Sequence, residues 1–282
     1  MRADAVPEQP LLHLDALWIQ VAGTRCNLAC THCFVSCGPD VDRLGLLGRA
    51  QVRERVAEAR PLGVREFYFT GGEPFLHPEL LEILADTLAV GPCTVLTNGT
   101  LFTDARIQRL ARLSAESRYA LELRVSLDGE RAADHDAFRG PGSFERTLDG
   151  LRRCAAAGLL PIVTVTRHGD DDPLAFAERV AAMLRAAGLP RPRLKLLPLF
   201  RLGRADAGAP ETLAGLTDFD PTRLQCSGCR AVSSAGVHVC PLLVDEPAGR
   251  MGDRLADALV PFPVSHSACV TCWVSGVTCA NV

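Results

Sequence analysis

Twelve cysteines stand in this chain of 282 residues, and their grouping is the feature that could do chemistry. Cys26, Cys30, Cys33 and Cys37 crowd one loop, while Cys226, Cys229, Cys240, Cys269, Cys272 and Cys279 gather near the C-terminal end. Only Cys93 and Cys154 lie between, where a small apolar side chain suffices. A chain kept in a reducing compartment has little structural use for so many thiols, so metal is the obvious consumer. The run Cys26-x3-Cys30-x2-Cys33 offers three thiolates that can cover one face of an iron-sulfur cluster and leave a fourth metal corner open to a ligand. A structural zinc loop is the alternative, with Cys37 or His32 as the fourth ligand. At the other end, Cys226-x2-Cys229-x10-Cys240 and Cys269-x2-Cys272-x6-Cys279 mark a second metal site, for which a zinc ribbon of two CxxC pairs is again the alternative.

Such loops need a scaffold, and the chain between them alternates strand and helix. Strands are expected at 16–22, 65–70, 93–97, 119–127, 161–166 and 193–199. Helices are expected at 49–60, 78–89, 103–113, 143–157 and 173–187. Strands joined by crossover helices pair in parallel, which suits an α/β fold with a partial barrel or open sheet whose chemistry sits at the C-terminal ends of the strands. The motifs obey that rule. The first cysteine loop follows the first strand, Thr70-Gly71-Gly72-Glu73-Pro74 the second, Thr97-Asn98-Gly99 the third, and Ser126-Leu127-Asp128-Gly129 closes the fourth. Past residue 200 the periodicity fails in a Gly-, Ala- and Pro-rich stretch, so the domain boundary is placed at 1–205 and 206–282. The second part is read as a small hairpin held by metal more than by a core.

The loop CNLACTHCF followed by TGGEP after the second strand resembles the radical S-adenosylmethionine (radical SAM) superfamily over roughly residues 14–200. The resemblance implies a partial (β/α)6 TIM-like barrel and a [4Fe-4S] cluster held by Cys26, Cys30 and Cys33. That cluster's open iron takes S-adenosylmethionine (SAM), and reductive cleavage gives a 5'-deoxyadenosyl radical that removes a substrate hydrogen atom. It further implies that Phe34 lies near the adenine and that Gly71 and Gly72 let the backbone approach the methionine end of SAM. Glu73 would accept from its ammonium, Ser126 and Asp128 would meet its ribose or carboxylate, and Arg139 would pair with its carboxylate. Asn98 is a pocket candidate on the same rim. The C-terminal cysteines resemble the SPASM extension or its shortened form, twitch, with the last cysteine pair of the full pattern missing. One auxiliary [4Fe-4S] cluster is therefore expected, on Cys226, Cys240, Cys269 and Cys272, with Cys229 able to replace Cys226. Cys279 is left over as a candidate hydrogen donor to a substrate radical. His135 and His168 stand where they could touch substrate.

Composition bounds the function from outside. Lys and Arg total 30 against 33 Asp and Glu, so no polyanion partner and no nucleic acid is implied. No apolar run reaches the length of a membrane span and no signal sequence opens the chain, so the cytoplasm is expected. The first strand begins by residue 16, leaving no space ahead of it for a leader-binding domain. The expected reaction is therefore oxidation or epimerisation of a small polar metabolite of the sugar or aminocyclitol type, with flavodoxin or ferredoxin as electron donor. A ribosomal-peptide maturase is the alternative reading, and an iron-sulfur electron-transfer or scaffold protein the non-enzymatic one.

Overall fold

A computed structural model describes residues 6–167, 172–205 and 212–276. The strands are β1 (Glu8–Gln9), β2 (Ala16–Gln20), β3 (Glu66–Thr70), β4 (Cys93–Thr97), β5 (Leu121–Ser126), β6 (Ile162–Arg167), β7 (Arg193–Pro198), β8 (Cys229–Ser233), β9 (Gly236–His238), β10 (Arg250–Gly252) and β11 (Phe262–Pro263). The helices are α1 (Arg49–Ala59), α2 (Leu80–Leu88), α3 (Asp104–Glu116), α4 (Ala132–Arg139), α5 (Ser143–Ala156), α6 (Pro173–Ala186) and α7 (Ser267–Ser275).

Nine strands form one sheet in the order β10-β9-β8-β2-β3-β4-β5-β6-β7, and β2 to β7 run parallel. Six parallel strands with their crossover helices make the expected partial barrel. The apolar pattern explains each layer. On the helix-facing side, Leu17, Ile19, Phe67, Phe69, Val95, Val125, Val163 and Val165 pack against residues such as Val52, Val56, Ile83, Leu110, Leu151 and Leu184. Val52, Val56 and Ala59 recur at helical spacing and are the buried face of α1. Alternate strand residues point the other way. Ala16, Trp18 and Tyr68 join a second cluster with Cys26, Cys37, Cys226, Cys240, Cys269 and Cys272. The concave face of the sheet is thus covered by the two cysteine-rich segments rather than by helices.

The C-terminal hairpin does not stand apart from the barrel. Strand β8 pairs in parallel with β2, Cys229 opposite Ala16 and Val232 opposite Ile19, and β9 folds back antiparallel on β8. The N-terminal segment is pinned as well: β1 pairs with β11, and the Leu12 and Ala16 amides donate to the carbonyls of Ser227 and Gly228. Among the described residues, no helix is long and apolar enough to cross a membrane.

Candidate active site at the strand ends

The first cysteine loop is held by backbone from several elements. The Cys26 amide donates to the Gly38 carbonyl and Thr31 to Phe138, while Arg204 reaches back to the carbonyls of Cys30 and Ser36, both at 3.1 Å. A Cβ on Gly72 would fall 2.0 Å from the Arg25 carbonyl oxygen, and one on Gly71, whose φ is +139°, would meet Ala22 at 2.8 Å. Both glycines therefore let the TGGEP turn lie directly against the cysteine loop, a reason for glycine that the protein supplies itself.

A cavity opens on these loops. Cys26, Cys30, Cys33, Phe34, Gly71, Gly72, Asn98, Ser126 and Arg139 all line it, so nine of the residues singled out in the sequence share one space. Asn98 donates to the Asn27 side chain at 2.9 Å and lies 3.9 Å from the Cys26 sulfur. Phe34 sits half-exposed at the rim, edge-on to Phe200.

Glu73 and Asp128 are placed differently from the other candidates. Glu73 is fully buried behind the lining, and its carboxylate accepts from Thr97 Oγ1 at 2.7 Å, Asn98 N at 2.8 Å and Phe75 N at 3.0 Å. Burial raises its pKa, and those three donors oppose the rise. Asp128, also buried, pairs with Arg139 Nε at 2.7 Å and His32 Nε2 at 3.1 Å, and accepts from Thr166 N at 2.8 Å. Burial alone would push its carboxyl up, but the Arg139 charge and the His32 contact hold it well below the usual carboxylate range. Two residues expected to meet SAM independently thus meet each other, and His32 joins them. His135 is buried and accepts from the Asp128 amide at 3.0 Å instead of lining the cavity. His168 and Cys279 lie outside the described residues.

Inward-facing residues deeper in the barrel went unrecognised in the sequence: Trp18, Gln20, Arg124, Thr164 and Thr166 line the same cavity. Stepping back by two from Ser126 along β5 points to Arg124, which is the one signal that would have found it.

Four of the C-terminal cysteines meet at a second, smaller cavity, lined by Cys226, Cys240, Cys269 and Cys272 with Leu224, Gln225, Leu242, Leu243 and Ala268. Cys229, at the start of β8, is outside that lining. Leu242 borders both cavities. Burial pushes Cys226 up to about 12 and Cys269 up to about 11, and Cys240 well above its ordinary value. In the first loop burial takes Cys26 to about 12, whereas Cys33 is lowered by its hydrogen bond with the Cys37 thiol. None of the described cysteines forms a disulfide. Cysteine thiols line both cavities, and soft sulfur donors are the donor set that iron-sulfur clusters take.

A parallel barrel with three cysteines on its first loop and a cavity at its strand ends defines a class of cluster-binding α/β protein. The sequence profile of the Radical SAM superfamily matches residues 21–193, and the chain belongs to that superfamily. The superfamily's cofactors are a [4Fe-4S] cluster and SAM. The chain is 33% identical over 181 residues to the AdoMet-dependent heme synthase of Nitratidesulfovibrio vulgaris, covering 58% of this chain and 48% of that protein. It is 36% identical over 172 residues to the mycofactocin maturase MftC of Mycobacterium ulcerans, covering 58% and 44%. It is 31% identical over 144 residues to the antilisterial bacteriocin subtilosin biosynthesis protein AlbA of Bacillus subtilis, covering 50% and 31%. The matches span less than half the length of each of these relatives. In fold, the chain resembles Streptococcus suis SuiB bound to S-adenosylmethionine, with a TM-score of 0.61 at 14% identity over 87% of this chain and 64% of that one.

Proposed function

We propose that this radical SAM enzyme oxidatively modifies a peptide, using a [4Fe-4S] cluster on Cys26, Cys30 and Cys33 and an auxiliary [4Fe-4S] cluster on Cys226, Cys240, Cys269 and Cys272. The observation that carries the reading is the pair of cysteine-lined cavities sharing Leu242 as a common wall. When bound, the first cluster and SAM supply a carbon-centred radical able to take a hydrogen atom from the substrate, and the auxiliary cluster supplies an electron acceptor. The protein's own residues do the positioning. Asn98, Ser126 and Arg139 present polar atoms to the cavity, Gly71 and Gly72 close the turn beside the cysteine loop, and Phe34 offers an apolar face at the rim. Glu73 acts one layer back by fixing the backbone of Asn98.

A maturase and a bacteriocin biosynthesis protein among the relatives favour a peptide over the sugar-type metabolite expected from chain length. We place the auxiliary module at 206–282 and the electron donor outside the chain, as a flavodoxin or ferredoxin.

Anaerobic reconstitution tests the reading. About eight irons in the intact protein and about four after Cys26, Cys30 and Cys33 are all changed to Ala are expected. Only the intact trio should release 5'-deoxyadenosine from SAM with dithionite, and added peptides should raise that yield where aminocyclitols do not. Zinc in the C-terminal site, or stimulation by aminocyclitols alone, overturns the proposal.

A further inference from the structure

Arg230 is among the largest side chains in the molecule that are fully buried, and it lies directly behind the second cysteine site. Its guanidinium donates to the carbonyls of Ala258 at 2.7 Å, Cys229 at 2.7 Å, Cys226 at 2.8 Å and Val260 at 3.3 Å. All four acceptors are neutral. No carboxylate among the described residues pairs with it, unlike the buried Arg139, which is matched by Asp128. Burying an uncompensated cation is costly, and four carbonyls could equally have been satisfied by neutral donors. A positive charge at this point needs a negative one nearby. The negative charge available to it is that of the neighbouring sulfurs of Cys229, Cys226 and Cys240, two of which line the C-terminal cavity, once those thiols give up their protons to a metal.

We propose that Arg230 is the built-in countercation of the C-terminal cysteine site, offsetting the charge of the thiolates and favouring the reduced state of the cluster they hold. This rests on the auxiliary-cluster reading above. Four thiolates around a cluster carry net negative charge, and reduction by one electron from an external reductant adds one more. A fixed guanidinium behind Cys226 and Cys229 stabilises that added charge through a medium of low dielectric. Its contacts with the carbonyls of Cys226 and Cys229 tie the cation to the segment that leads into β8. Val260, whose carbonyl accepts from the guanidinium at 3.3 Å, is 51% exposed, so an acid substituted there brings a negative charge near the cation from the surface.

The test uses holoprotein in which Cys26, Cys30 and Cys33 are Ala, so that a single cluster is titrated against potential by its absorbance and by electron paramagnetic resonance. Arg230→Gln should shift the reduction equilibrium against the reduced form by at least about tenfold, equivalent to about 59 mV for one electron. Arg230→Lys, which keeps the charge, should hold the parent's midpoint to within about threefold. Val260→Asp, a surface change that spares Arg230, should move the midpoint the same way as Arg230→Gln, and Val260→Asn should not. If Arg230→Gln fails to fold, the Val260 pair decides. Equal midpoints for Val260→Asp and Val260→Asn, or for Arg230→Gln and its parent, overturn the proposal. A parent protein that holds zinc, or no iron, overturns the cluster assignment itself.

Discussion

Glu73 shows how much of the protein a single side chain can hold together. Its carboxylate ties the turn after β3 to the turn after β4 through Thr97 and the Asn98 amide. Glu73→Ala would strand a hydroxyl and two amides in the interior, a cost of about 1–3 kcal/mol for each donor left unpaired. Urea unfolding should show the loss, and SAM affinity should fall because Asn98 moves, while the iron content stays that of the parent. The thiols make a second residue-level prediction. With Cys26 and Cys226 at about 12 and Cys269 at about 11, these groups are protonated in the empty protein near neutral pH and must lose their protons to bind iron. Cluster assembly should therefore release protons and run faster as the pH is raised from 7 to 9. A pH indicator in weakly buffered solution measures the release, and assembly indifferent to pH would contradict these burial-raised values.

At the scale of elements, the buried histidines of α4 and β9 set an acid limit. His135 and His238 are both lowered to about 4, chiefly by burial, so the unfolded chain protonates before the folded one does. Their contribution is full above pH 6.5 and drains away as the pH falls from 6.5 toward 4, at most about 3 kcal/mol apiece. His135→Gln should flatten that slope in thermal melts, and an unchanged slope would show that His135 is free to protonate in the fold. Most of these elements were legible in the sequence: all six barrel strands and five of the crossover helices lie within a few residues of their expected positions, because buried parallel strands read as apolar runs. Helix α4 was not, since AADHDAFR is short and largely polar and is specified by what it reaches: Asp128 through Arg139 and the cysteine loop through Phe138. The cysteine spacings carried the site, whereas the Glu73 and Asp128 partnerships depend on backbone amides brought from other strands. No local pattern encodes those.

Over the whole molecule, the two cysteine segments are fastened to each other. Arg43, just past the first loop, donates to the Val35 carbonyl at 2.8 Å and to Asp245 at 2.9 Å, and Asp245 follows Cys240 and Leu242. Arg43 is 46% exposed and Asp245 20%, so as a solvent-screened ion pair it contributes no more than about 1 kcal/mol. Its use is geometric, because it joins the backbone beside the first cysteine loop to the segment that carries Cys240. Asp245→Asn should lower SAM affinity about threefold with both clusters retained, and SAM titration of the reduced protein measures it. Leu242→Ala, which thins the wall between the cavities, should instead speed bleaching of the C-terminal cluster by peroxide.

The pairing of β8 with β2 also fixes an order of events during synthesis. Strand β2 is buried along its whole length, yet one of its two neighbours, β8, begins only at Cys229 of a 282-residue chain. Until that neighbour is made, a nascent polypeptide carries an apolar strand with one bare hydrogen-bonding edge, the kind of surface that invites aggregation. Ribosome-bound chains released before residue 229 should accordingly be captured by chaperones, and chains released after β9 should escape them.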